Sequence, residues 1–126
     1  MMKEQVAFYR CETCGNIVEL IKNGGGDLVC CGKPMTKLVA NTTDASQEKH
    51  IPAVSRTDGE LSVGVGSVIH PMTDKHYIEW IAVVTDNGMK RASLSPGDEP
   101  KAVFCEKPKA DVYAYCNLHG LWKANG

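Results

Sequence analysis

The metal-donor side chains of this sequence fall into two groups that do not overlap. Residues 1–37 hold four of the six cysteines and none of the four histidines, whereas residues 45–126 hold all four histidines and the other two cysteines. Thiolates and imidazoles are the donors of zinc, copper and iron sites, so the segregation implies two separate metal centres. In the first group, Cys11-Glu12-Thr13-Cys14-Gly15 is a C-x-x-C pair on a turn, and Gly15 lets the backbone aim both sulfurs at one point. Cys30 and Cys31 supply two more sulfurs. Neighbours on a strand point to opposite faces, so both can ligate only from a turn, helped by Gly32, and the tetrahedron is then distorted. By spacing alone this set suits a structural zinc as well as an iron, with a disulfide pairing as a third reading.

The second group lies in three short motifs: Glu48-Lys49-His50, His70-Pro71-Met72-Thr73-Asp74-Lys75-His76-Tyr77 and Cys116-Asn117-Leu118-His119-Gly120. A lone histidine is ordinarily a satisfied or surface residue. Four in one small segment beside a C-x-x-H pair form a donor set suited to iron or copper. Blue copper uses two histidines, one cysteine and a weak axial ligand, which leaves the other histidines unexplained. Five strong donors suggest four imidazoles in a plane, one thiolate on the axis and an open sixth position.

These motifs resemble a known family. C-x-x-C-G followed by C-C-G is similar to desulforedoxin, whose centre is one distorted iron held by four cysteine thiolates. E-K-H, H-P-M-x-x-K-H-Y-I-x-W-I and Y-C-N-x-H-G-x-W-K resemble the catalytic domain of superoxide reductases, in the module order of the two-iron desulfoferrodoxins. The resemblance implies a first iron on Cys11, Cys14, Cys30 and Cys31, and a catalytic iron with His50, His70, His76 and His119 equatorial and Cys116 axial. It also implies an immunoglobulin-like catalytic domain and one-electron reduction of superoxide to hydrogen peroxide without release of dioxygen. Lys49 attracts the anion and orients a proton-donating water in this reading, and Glu48 covers the site after turnover. Without the motif, both are ordinary solvated side chains. The chain departs from the family pattern at Leu121, where some relatives have histidine, and at Ala114, where glutamate is frequent. Neither position is a ligand.

The elements that must position these donors are short strands. Val6–Tyr9, Ile17–Leu20 and Leu28–Cys30 are β-type runs separated by Gly15 and by Gly24-Gly25-Gly26-Asp27. Leu61–Val65, Tyr77–Val84, Lys90–Leu94, Ala102–Cys105 and Asp111–Tyr115 follow, with turns at Asp58-Gly59, Asp86-Asn87-Gly88, Ser95–Asp98 and Lys107-Pro108. The expected fold is therefore all-β, a small metal-pinned module followed by an antiparallel β-sandwich with almost no helix. Alternation places Tyr77, Glu79 and Ile81 on one face of their strand and Ile78 and Trp80 on the other. Trp80 and Trp122 pack the core or edge, and the Pro71 ring helps present His70. Lys75 has no assigned role, and Cys105 reads as a small buried apolar residue. The boundaries are residues 1–37 for the first module, 38–46 for a polar linker and 47–126 for the sandwich.

Lys and Arg total 14 against 15 Asp and Glu, a net charge of −1 that gives no reason to expect nucleic acid or a membrane surface as partner. The first residues lack the apolar stretch of an export signal and no run is long enough to span a bilayer, so a cytoplasmic location with reduced cysteines is expected. About 37 residues are too few for an apolar core to suffice, which predicts metal dependence and a homodimer sharing its core at this module. A rubredoxin or an NAD(P)H-dependent reductase is compatible as electron donor. The competing reading is a rubredoxin-like electron carrier with two redox irons.

Overall fold

The computed structural model describes residues 7–42, 45, 47–105 and 109–125, with the side chain of Glu48 set aside. Val6 of the first expected strand, Thr43, Asp44 and Ser46 of the expected linker, and the Lys107-Pro108 turn lie outside the described residues. The chain divides into two compact units, Met1–Val39 and Ala40–Gly126.

In the first unit β1 (Phe8–Arg10) is flanked by β2 (Ile17–Glu19) and β5 (Thr36–Lys37) in the order β2-β1-β5, and β3 (Val29–Cys30) pairs with β4 (Lys33–Pro34) in a separate hairpin. Among the described residues here only Phe8 and Cys11 are buried. That is no apolar core, so the thiolate cluster must supply the cohesion.

The second unit opens with one helical turn, α1 (Gln47–His50), followed by β6 (Pro52–Thr57), β7 (Glu60–Val65), β8 (Ile78–Thr85), β9 (Gly88–Ser93), β10 (Lys101–Cys105), β11 (Asp111–Cys116) and β12 (Gly120–Asn125). One sheet has the order β10-β7-β6 and the other β12-β11-β8-β9, every pairing antiparallel. Lettered A to G in chain order, these are the A-B-E and G-F-C sheets of an immunoglobulin-like sandwich, with β9 on the edge beside C. Leu61, Val63, Val65 and Phe104 from one sheet meet Ile78, Ile81, Val83, Val112, Ala114 and Cys116 from the other in a single core. The axial-ligand candidate is thus a core residue. No helix among the described residues is long and apolar enough to cross a membrane.

Four details differ from the sequence reading. Ile78 does not share a face with Trp80: it is fully buried with Ile81 and Val83, while Trp80 stacks on Tyr115 at 5.7 Å. The cause is a bulge in β8, because Tyr115 opposes Trp80 but Cys116 opposes Ile78, so Glu79 is skipped and the alternation changes phase. Cys105 is exposed rather than buried, because it ends the edge strand β10 one position out of phase with buried Phe104. Strands β4, β5, β6 and β12 were not anticipated. Residues 38–42 also carry specific bonds: Leu38 N–H donates to Phe8 O at 2.8 Å, and Asn41 exchanges hydrogen bonds with Leu121 and Lys123 of β12.

Candidate metal centres

Cys11, Cys14, Cys30 and Cys31 bring their sulfurs within 4.8 Å of one another. Cys14 Sγ lies 3.7 Å from Cys30 Sγ and Cys30 Sγ 4.0 Å from Cys31 Sγ, and all six cysteines of the chain are free thiols. A tetrahedron with metal–sulfur bonds of about 2.3 Å has edges of about 3.8 Å, so the spacing fits four ligands of one ion. The adjacent pair reaches a common point because Cys31 and Gly32 are the two central residues of the β3–β4 hairpin, with φ of 53° and 75°. Two positive φ values define the tight hairpin turn that reverses the chain between paired strands. Left-handed geometry at Cys31 breaks the strand alternation that would have sent its sulfur away. On the other side Gly15, with φ of 84°, closes the Cys11–Asn16 turn, and Cys14 N–H donates to Cys11 Sγ at 3.4 Å. That donor comes first among the causes that hold the Cys11 thiol down to about 6. Hydrogen bonding to Cys14 and Cys11 pushes Cys31 up to about 12.

In the second unit the four imidazoles stand in a square. Neighbouring ring centroids are 4.6 Å apart for His50–His70, 4.6 Å for His70–His76, 5.0 Å for His76–His119 and 4.8 Å for His119–His50, with interplanar angles of 74–90°. The His50–His76 diagonal is 6.3 Å. His50 Nε2 lies 3.1 Å from both His70 Nε2 and His119 Nδ1. Cis nitrogens on metal bonds of about 2.1 Å stand roughly 3.0 Å apart, so these contacts match a shared ion. His76 Nε2 is buried without a hydrogen-bond partner, which a coordinate bond would satisfy. The donor atoms of His50, His70, His76 and Cys116 all lie within 4.8 Å of one another, and Cys116 Sγ is 3.9 Å from His119 Nδ1. Four imidazoles around one thiolate suit iron, and the four sulfurs suit a second iron.

Each donor is held by its local fold. His50 ends α1 and stacks on buried Trp122 at 4.9 Å, and Trp122 Nε1 donates to His119 O at 3.1 Å. Trp122 therefore braces two ligands rather than merely filling the edge. His70 Nδ1 contacts Pro71 O at 2.6 Å; a carbonyl only accepts, so Nδ1 carries the proton and Nε2 presents its lone pair. The Pro71 carbonyl thus orients the His70 imidazole. His76 sits in a turn closed by Thr73 through bonds in both directions. Burial raises the Cys116 thiol, and the backbone N–H groups of Leu118 and His119 oppose that rise.

Of the proposed catalytic pair, Lys49 is exposed, and its charge reaches His76, where it adds to burial and His119 in lowering that imidazole. The Glu48 side chain lies outside the described residues. Sequence reasoning missed Asn117, whose side chain bonds both Lys75 and Tyr77; its only signal was its place inside C-x-x-H. Ala114 is fully buried in the core, in phase with Cys116 on β11.

Burial, opposed by the Pro71 carbonyl, lowers His70 from 6.5 to about 4. Between those values the unfolded chain binds a proton that the folded chain does not, so stability falls as pH drops below 6.5 and levels off near 4. For the metal-free protein the loss from His70 alone should be on the order of 3 kcal/mol. Urea midpoints measured from pH 7 to pH 4 should show this slope in the sandwich, and His70→Gln should reduce it, leaving the share of His76, which burial also lowers.

The comparisons agree with this geometry. The family described as Desulfoferrodoxin matches residues 42–125, and the one described as Desulfoferrodoxin, N-terminal domain, matches residues 3–38. The chain is 50% identical to a desulfoferrodoxin of Syntrophotalea carbinolica over 99% of this chain and 100% of that one. It is 51% identical to a desulfoferrodoxin of Nitratidesulfovibrio vulgaris over 98% of each. The crystal structure of the superoxide reductase from Treponema pallidum superposes with a TM-score of 0.77 at 30% identity, covering 96% of this chain and 99% of that one. With both modules matched over nearly their whole length, the chain belongs to the desulfoferrodoxin family.

Proposed function

We propose that this chain is a superoxide reductase that converts superoxide to hydrogen peroxide at the second centre, where His50, His70, His76, His119 and Cys116 would hold the iron. The observation that carries the reading is the square of imidazoles, with one orphaned buried nitrogen, set beside a single buried sulfur. Iron bound there would supply a one-electron couple. The protein supplies the rest. Nitrogen lone pairs are aimed by the Pro71 carbonyl and the Trp122 stack, the Cys116 sulfur is shielded from water by the core, and Lys49 places a cation at the exposed side near His76. Lys49 concentrates the anionic substrate and holds the water that delivers protons, and Glu48 covers the site after turnover. The four cysteines Cys11, Cys14, Cys30 and Cys31 hold the other iron.

Exposed Val18, Ile21, Val29 and Val39 in a unit with no core of its own support a homodimer joined through this module. The free cysteines suit a reducing, cytoplasmic setting, and electrons arrive from a rubredoxin or an NAD(P)H-dependent reductase.

Mixing the pre-reduced iron protein with superoxide in stopped flow should give one hydrogen peroxide per superoxide, no dioxygen, and a second-centre spectrum that azide perturbs. Dioxygen release, or a spectrum insensitive to azide, would rule this reading out. Lys49→Ile should slow the encounter several-fold at low salt and weaken its dependence on ionic strength, with iron content unchanged. An unaltered rate constant at low salt removes Lys49 from the mechanism.

A further inference from the structure

One side chain ties the loop carrying Cys116 and His119 to the loop carrying His76. Asn117 Oδ1 accepts from Tyr77 N–H at 2.9 Å, Asn117 Nδ2 donates to Lys75 O at 2.9 Å, and the Asn117 backbone N–H donates to Tyr77 O at 3.2 Å. Lys75 and Tyr77 flank His76, so the amide grips the chain on both sides of that ligand. A side-chain amide offers donor and acceptor from one planar group, which neither a carboxylate nor a hydroxyl of similar reach does in this arrangement. The grip falls where regular pairing fails. The bulge at Glu79 shifts the β8–β11 register between Tyr115 and Cys116, and the ladder then ends at Cys116. Beyond that point the Asn117 bonds connect the two loops, while Thr73 closes the other side of the His76 turn.

We propose that Asn117 is a positioning residue that fixes the Cys116 sulfur and the His76 imidazole relative to each other, so that both reach one ion. This rests on the reading of the second centre as an iron site. The residue touches neither substrate nor metal. It acts through the angle between the two loops, which sets where the Cys116 sulfur stands relative to the His76 imidazole.

The test compares the full-length iron protein with Asn117→Ala, which removes both side-chain bonds, and Asn117→Asp, which keeps the shape and the acceptor but turns an oxygen towards the Lys75 carbonyl. Both variants should shift and weaken the visible sulfur-to-iron band of the oxidised second centre. Both should release iron to a chelator roughly 10-fold to 100-fold faster, while the four-cysteine spectrum stays unchanged. In the metal-free proteins the Tyr77 amide should exchange with solvent roughly tenfold faster in Asn117→Ala. Should Asn117→Ala not fold, the isosteric Asn117→Asp carries the comparison alone. Wild-type band position and iron release in Asn117→Asp, or unaltered Tyr77 exchange in Asn117→Ala, overturns the proposal. A wild-type protein with no such band would instead defeat the iron reading, and the Tyr77 exchange would still judge the clamp.

Discussion

Cys116→Ser should abolish the sulfur-to-iron charge-transfer band of the second centre and lower superoxide reduction by at least roughly 100-fold. Cys116 is fully buried at the end of β11, among the core residues, and among the described residues it is the cysteine grouped with His50, His70 and His76. A Cys116 thiolate would donate more electron density to an iron held there than a serine oxygen could. The side chains are nearly the same size, so the sandwich should fold and the effect should be electronic. Visible spectra and stopped-flow traces of the purified variant check it. A variant with the full spectrum and full activity would show that Cys116 is a core thiol with no part in the chemistry.

Cys14→Ser or Cys30→Ser should remove the other iron and unfold the first unit while superoxide reduction by pre-reduced protein largely survives. The unit buries only Phe8 and Cys11 among its described residues, so nothing replaces the several-kcal/mol cohesion that four thiolates on one ion provide, about 10–16 kcal/mol for small zinc domains. The two donor sets share no residue, which is why catalysis should persist. Limited proteolysis should cut within residues 1–39 of the variant and leave 40–126 intact, and iron content should fall by half. Parallel loss of the superoxide reaction would mean that the centres depend on each other.

The sequence by itself determined the donor chemistry. Cysteines and histidines are segregated along the chain, adjacent Cys30 and Cys31 demand a turn, and Asp58-Gly59 marks another; φ values of 53° at Cys31 and 47° at Asp58 show both turns. These features are local, set by the sterics of two or three residues, and are therefore readable from residue type. Strands β6 and β12 were not readable, because Pro52–Thr57 and Gly120–Asn125 mix polar and apolar residues and become strands through the partners that accept their hydrogen bonds. The bulge at Glu79, the exposure of Cys105 and the Asn117 bridge were likewise decided only when separate segments met. The same is true of the order of the square and of the use of Nδ1 on His119 but Nε2 on His50 and His70. A histidine motif says that nitrogen is available. Which nitrogen faces the ion depends on backbone and second-layer contacts such as the Pro71 carbonyl and the Trp122 ring, and those come from residues far apart in sequence or from conformations that residue type leaves open.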